Sequence, residues 1–208
     1  MTLTAGVTNR IIFVRHGEPQ DSARGRCYGK SDVCLSENGR RQIGQTARWL
    51  EKFDIKAIFS SPRVRATESA GAVAEKSGST VKIENRFAEM DFGDFEGLTY
   101  DAVKEIYPDL YECWMKTPTK IEFPNGGSFP KMRKEVLEAV DDLKKIHAGE
   151  TVAVVSHGGV NRIVLSSVLQ MADENLFRLE QNYACANVVD FYGDFPVVRI
   201  INHNFGNL

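Results

Sequence analysis

Two short apolar runs, each closing on a histidine and a glycine, limit most sharply what this chain can fold into. Arg10-Ile11-Ile12-Phe13-Val14-Arg15 leads into His16-Gly17, and Thr151-Val152-Ala153-Val154-Val155-Ser156 leads into His157-Gly158-Gly159. Apolar runs without alternation, rich in branched side chains, read as strands buried on both faces. Such strands need helices on either side. Residues 57–60 read as a third strand and Val81-Lys82-Ile83 as a shorter one. Helical patterns fill the gaps. Ser36 is an N-cap, followed by Ile43, Ala47 and Leu50 at helical spacing. Ser61-Pro62 opens a helix with proline at its first position, running to Lys76 and stopped at Ser77-Gly78. Val136, Leu137, Val140 and Leu143 mark an amphipathic helix ending before Gly149, and another helix starts after Gly158-Gly159. Near the end, residues 187–192 and 197–202 flank Gly193-Asp194-Phe195-Pro196 as a hairpin with a four-residue loop, adding antiparallel pairing at a sheet edge.

Strands alternating with helices predict an α/β chain, a three-layer α/β/α arrangement around a mostly parallel central sheet. The expectation is a single domain over residues 1–208 with a small helical or loop insertion at about 98–130. Pro118, Pro124, Gly126, Gly127 and Pro130 make residues 117–130 read as loop. A formal net charge of −2, from 26 Lys+Arg against 28 Asp+Glu, argues against a nucleic-acid partner. No apolar run reaches the roughly 20 residues of a membrane helix, and the first ten residues have no signal-peptide core, so a cytoplasmic protein without a membrane partner is expected. Cys27, Cys34, Cys113 and Cys185 form no CxxC pair or zinc-ligand spacing and read as reduced thiols. No metal or other cofactor is expected. The oligomeric state stays open, a homodimer included.

The chemistry-bearing residues follow the strands. Ligands of open α/β sheets bind beyond the carboxyl ends of the strands. If the strands ending at Arg15 and Ser156 are parallel neighbours, His16 and His157 reach one crevice. Gly17, Gly158 and Gly159 allow close backbone approach there, and the helix after Gly158 turns its first amides toward an anion. Arg15 and Arg65, the latter just past the strand ending at Ser60, add planar donors suited to phosphate oxygens. Singly, each of these residues has an ordinary structural role open to it. Together they describe an oxyanion pocket.

The pattern resembles the histidine phosphatase superfamily, which includes the phosphoglycerate mutases. Arg15-His16-Gly17-Glu18 is similar to the family signature. Further blocks follow in family order at Arg26-Cys27-Tyr28-Gly29, Leu35-Ser36-Glu37-Asn38-Gly39, Ser60-Ser61-Pro62-Arg63-Val64-Arg65-Ala66-Thr67-Glu68, Glu89-Met90-Asp91-Phe92-Gly93-Asp94-Phe95-Glu96-Gly97 and Ser156-His157-Gly158-Gly159. The resemblance implies a phosphoglycerate mutase-like fold and a metal-independent phosphomonoester hydrolase of the histidine acid type. It implies that His16 is the nucleophile, that Arg15, Arg65 and His157 hold the phosphoryl oxygens, and that Glu89 is the general acid and then base. The residues themselves do not single out Glu89 among Asp91, Asp94 and Glu96. The substrate side falls on Ser22, Cys27, Tyr28, Gly29 and Gly158. Two positions depart from the family: Ser22 stands where many relatives have Asn, and Gly127 where a Glu is common. The short insertion favours hydrolysis over mutase transfer. Residues 26–33 resemble the α-ribazole phosphatases, pointing to a small phosphate ester, α-ribazole 5′-phosphate of cobalamin synthesis among the choices. A phosphoglycerate mutase, a broad-specificity sugar-phosphate phosphatase, a non-catalytic phospho-ligand module and a metallohydrolase are the alternatives.

Overall fold

The computed structural model describes residues 3–205. Six strands form one sheet: β1 (Asn9–Arg15), β2 (Ile55–Ser60), β3 (Val81–Ile83), β4 (Thr151–Ser156), β5 (Ala186–Tyr192) and β6 (Phe195–His203), in the order β3-β2-β4-β1-β5-β6. Strands β3, β2, β4 and β1 pair in parallel, while β5 and β6 continue the sheet antiparallel at one edge. The register sets Arg15 opposite Ser156, so the next residue of each strand, His16 and His157, leaves the sheet side by side.

The helices α1 (Glu37–Leu50), α2 (Val64–Ser77), α5 (Phe129–Ile146) and α6 (Gly158–Val168) cover the two faces. The period of two along a strand divides the core. Ile11, Phe13, Val152 and Val154 pack with Val136, Ala139 and Val140 of α5 and Val160 and Ile163 of α6. Ile12, Val14, Ala153 and Val155 pack with Ile43, Ala47 and Leu50 of α1 and Ala70 and Val73 of α2. This is the expected three-layer architecture. The insertion carries α3 (Tyr100–Ile106) and α4 (Pro108–Lys116), whose Val103 and Trp114 form a third apolar cluster with Cys27, Phe95, Ile121 and Phe123. Among the described residues, no helix is long and apolar enough to cross a membrane.

Several boundaries differ from the sequence reading, β2 among them, which starts at Ile55 rather than Ala57. Helix α2 begins at Val64 with Arg63 as its N-cap, so Pro62 stands ahead of the helix. Helix α6 begins at Gly158 itself, with His157 in the N-cap position but making no side-chain cap. The β5–β6 turn is Gly193-Asp194, because Tyr192 pairs with Phe195; Gly193 takes φ 64° there. The segment 117–130 is loop only in part, since Phe129 and Pro130 open α5, where proline lacks only an N–H that needs no partner.

Ser36 caps α1 as expected, its Oγ accepting the Gly39 N–H at 2.9 Å. The loop after His16 lies directly on this first turn. A Cβ on Gly17 would sit 2.3 Å from the Gly39 carbonyl oxygen, and one on Gly39 would sit 2.0 Å from that of Glu18. Backbone fills both sides of the contact and cannot swing away. Gly39→Ala is therefore expected to lower unfolding stability by about 3 kcal/mol, read from urea midpoints; a loss within experimental error would show that the contact is soft.

Candidate active site

His16 and His157 are 2% and 0% exposed, and their ring centroids stand 5.2 Å apart. His16 Nδ1 lies 2.7 Å from the Gly17 carbonyl oxygen. A carbonyl only accepts, so Nδ1 carries the proton and Nε2 keeps its lone pair. Burial, then the charges of Arg15 and Arg65, push the His16 pKa well below 6.5. The ring is thus neutral at neutral pH. His157 shares this state: burial, then Arg65 and the His16 ring, hold it well below 6.5. Its Nε2 meets Ser61 Oγ at 2.7 Å.

The two arginines are fixed by backbone acceptors. Arg65 is fully buried; its Nη1 donates to Ser31 O and its Nη2 to Gly29 O, each at 2.9 Å. Arg15 Nη1 donates to Gln181 O at 2.5 Å, and its guanidinium lies 4.0 Å from the centre of the Tyr183 ring. Arg15 Nε, Arg65 Nε and His157 Nδ1 are buried without a partner among the described residues. Other nitrogens, His203 Nε2 for one, also lack a hydrogen-bond partner among the described residues, but these three stand on neighbouring residues, a cluster of donors that can hydrogen-bond an anion.

Glu89 reaches the same place from the segment before the insertion. Its Oε1 accepts the Met90 N–H at 3.0 Å and its Oε2 the Gly159 N–H at 3.1 Å. A Cβ on Gly159 would come within 2.3 Å of Oε1, so glycine there is what lets α6 meet the carboxylate. The Gly159 amide therefore serves the protein's own Glu89, whereas the sequence suggested only an incoming anion. His16, Arg15, Arg65, Glu89, Cys27 and Tyr28 all line one cavity of about 170 Å³.

The substrate-side residues play different parts. Cys27 is 2% exposed, and burial, then Glu96, raise its thiol pKa to about 11, so it is wall rather than nucleophile. The Tyr28 hydroxyl meets that of Tyr183 at 3.0 Å. Gly29 contributes backbone: a Cβ there would lie 1.6 Å from Met90 O. Gly158 packs against the side chains of Arg162 and Arg15. Ser22 is exposed on the 3-10 turn Asp21–Ala23 and does not line this cavity. Gly127 hydrogen-bonds through its backbone to Asp91 and Phe123. Phe92 lines the cavity as well as packing on the insertion, and Phe95 is pure core.

Sequence reasoning passed over Ser61, Tyr183 and Glu96. In sequence Ser61 reads as a helix start, yet its hydroxyl meets His157 Nε2. Glu96 looked like one acid among four. Its carboxylate accepts N–H groups of Gly29, Lys30, Ser31 and Phe92 and the Ser31 hydroxyl. Against the upward push of burial, those hydrogen bonds hold its pKa below the usual range. Glu96 and Arg65 thus clamp the 29–31 loop from two sides. Among the described residues, no three or more His, Cys, Asp or Glu are grouped to hold a metal ion.

A family model described as histidine phosphatase superfamily (branch 1) matches residues 11–204. A bifunctional protein of Mycobacterium tuberculosis is 33% identical over 199 residues, 95% of this chain and 54% of that protein. The chain so spans about half the length of the first curated relatives it matches. Phosphoserine phosphatase 1 of Hydrogenobacter thermophilus is 34% identical over 148 residues, 71% of this chain and 70% of that one. The solved α-ribazole phosphatase of Shigella flexneri superposes with a TM-score of 0.83 at 24% identity, covering 93% of this chain and 96% of that one. Likeness at that identity speaks to the fold.

Two buried neutral imidazoles give stability a definite pH dependence. Below pH 6.5 the unfolded chain takes up protons at His16 and His157 that the fold refuses. Stability is therefore full above that pH and falls on acidification, by up to about 1.4 kcal/mol per pH unit for each ring. Urea midpoints between pH 7 and 5 should fall less steeply in His157→Asn than in the parent chain; parallel slopes would contradict the burial argument.

Proposed function

The chain belongs to the histidine phosphatase superfamily, and from that premise we propose that it hydrolyses phosphate monoesters by passing the phosphoryl group through Nε2 of His16. The observation carrying this reading is the His16 Nδ1–H···O=C contact with Gly17 at 2.7 Å, inside a site that keeps the ring neutral. Nε2 attacks phosphorus, the bond from phosphorus to the ester oxygen breaks, and that oxygen takes a proton from Glu89. Attack gives the imidazole ring positive charge, and the hydrogen bond to Gly17 strengthens as it does so. Phosphoryl transfer spreads negative charge over three oxygens. The free nitrogens of Arg15, Arg65 and His157 are the donors for them. Water then attacks phosphorus, giving its proton to Glu89 as the P–N bond breaks, and the neutral ring returns.

Water as final acceptor is favoured by the insertion, which amounts to the two short helices α3 and α4 and their flanking loops. A mutase must shield its phosphoryl-enzyme more fully. No step as written uses a metal, so turnover should persist in EDTA. Residues 26–33 support α-ribazole 5′-phosphate as the first ester to test, against O-phosphoserine and 3-phosphoglycerate.

His16→Ala is expected to lower kcat by at least about 10⁴-fold with the unfolding midpoint nearly kept. Glu89→Gln should separate substrates by leaving group. In kcat/KM, which ends at phosphoryl transfer to His16, alkyl phosphates need the proton and should slow by about 10²- to 10⁴-fold; p-nitrophenyl phosphate, whose leaving group needs none, should slow much less on that measure. Equal losses on both esters would remove Glu89 as the acid.

A further inference from the structure

The phosphoryl cavity opens beside a larger one of about 620 Å³. The two share Glu89, Phe92 and Tyr100. They meet at Glu89, whose carboxyl group, when protonated, is the acid for the ester oxygen in the proposed reaction, so whatever that oxygen carries is held at the mouth of the larger chamber. Its walls are mainly apolar. The insertion contributes Trp114, Met115 and Phe123, and the helical layer on the sheet contributes Met132, Ile163 and Phe177. Besides Glu89, three charged side chains border it: Lys116, Glu174 and Arg162. Arg162 is already engaged, its Nε donating to Leu179 O at 2.8 Å and its guanidinium 5.4 Å from the Phe177 ring centre.

We propose that this chamber is a leaving-group subsite selecting phosphate monoesters of bulky apolar alcohols, aromatic ones foremost. The proposal rests on the His16 reaction, since only that chemistry fixes which end of the ester faces Glu89. Three features support it. The volume is that of a small-molecule site, which typically spans about 300–1,000 Å³, and far exceeds what a phosphoryl group fills. Tyr100, Met115 and Phe177 line the chamber and are 44%, 48% and 58% exposed as whole residues; apolar surface in water beside a reactive site is surface a ligand can cover. The methionines Met115 and Met132 can reshape around different ring systems. A small zwitterionic leaving group such as serine gains nothing from such walls, and its ammonium and carboxylate would lose water without full replacement.

The test compares three primary alkyl phosphates, whose leaving oxygens have similar basicity: ethyl phosphate, 2-(1-naphthyl)ethyl phosphate and O-phosphoserine. The naphthyl ester should exceed each of the others in kcat/KM by about 100-fold or more, chiefly through KM. Met115→Glu and Phe177→Asp, on the exposed rim, should each cut the naphthyl-to-ethyl ratio by about tenfold or more. A ratio near unity, a preference for O-phosphoserine, or a ratio that neither variant moves would overturn the proposal. Failure of the His16 chemistry would look different: none of the three esters would turn over. Calorimetric binding then decides the chamber alone, with tighter Kd for the naphthyl ester supporting it and equal Kd values overturning it.

Discussion

The site depends on one short contact, from His16 Nδ1–H to the carbonyl of the next residue. It fixes the tautomer, and the tautomer fixes which nitrogen can attack. A histidine is a nucleophile only while its second nitrogen stays unprotonated, and here burial and two neighbouring guanidiniums hold it so. The same guanidiniums that repel a proton attract a phosphate. In the proposed reaction they keep the ring neutral before substrate binds; once a phosphate dianion lies between them, their charge is offset and the ring can become cationic as it bonds to phosphorus. One arrangement therefore suits both ends of the first step.

That arrangement needs rigid surroundings, and backbone supplies most of them. The parallel register of β1 and β4 delivers both histidines to one edge. The Gly17–Gly39 contact seats the His16 loop on α1 with no side chain between. Arg65 is tied to carbonyls of Gly29 and Ser31, and Glu96 takes the amides of the same loop. Donors and acceptors of that loop are thus both held by buried or half-buried charges. Groups positioned in advance need no reorganisation when charge develops, which is where electrostatic catalysis gains most.

Much of this was legible in the sequence, for identifiable reasons. Buried strands announce themselves by composition, so β1, β2 and β4 and the residues leaving them could be read directly. The caps at Ser36 and Gly78 also fell where local chemistry required. Boundaries failed where a side chain had a tertiary duty: Ser61 and Pro62 look like a helix start, but Ser61 turns to His157 and the helix begins later. The β5–β6 turn reads too long in sequence because Pro196 carries a turn signal, and yet Phe195 and Pro196 both pair in the edge strand. Glu89 could not be told from its acidic neighbours by spacing; what distinguishes it is Gly159, seventy residues on, whose missing side chain admits the carboxylate. Tyr183 meets Tyr28 and Arg15 only through tertiary contacts, and the apolar chamber exists only once the insertion and the helical layer meet, so neither is visible in sequence.

The most direct test of the account is to stop turnover in its first moments and find the phosphoryl group. Rapid quench of the protein with a radiolabelled phosphate monoester, under alkaline conditions that preserve phosphohistidine, followed by peptide mapping, should place an acid-labile label on Nε2 of His16. The label should be absent from His16→Ala. Label on a serine, a cysteine or an aspartate, or steady turnover by His16→Ala, would contradict the account at its centre.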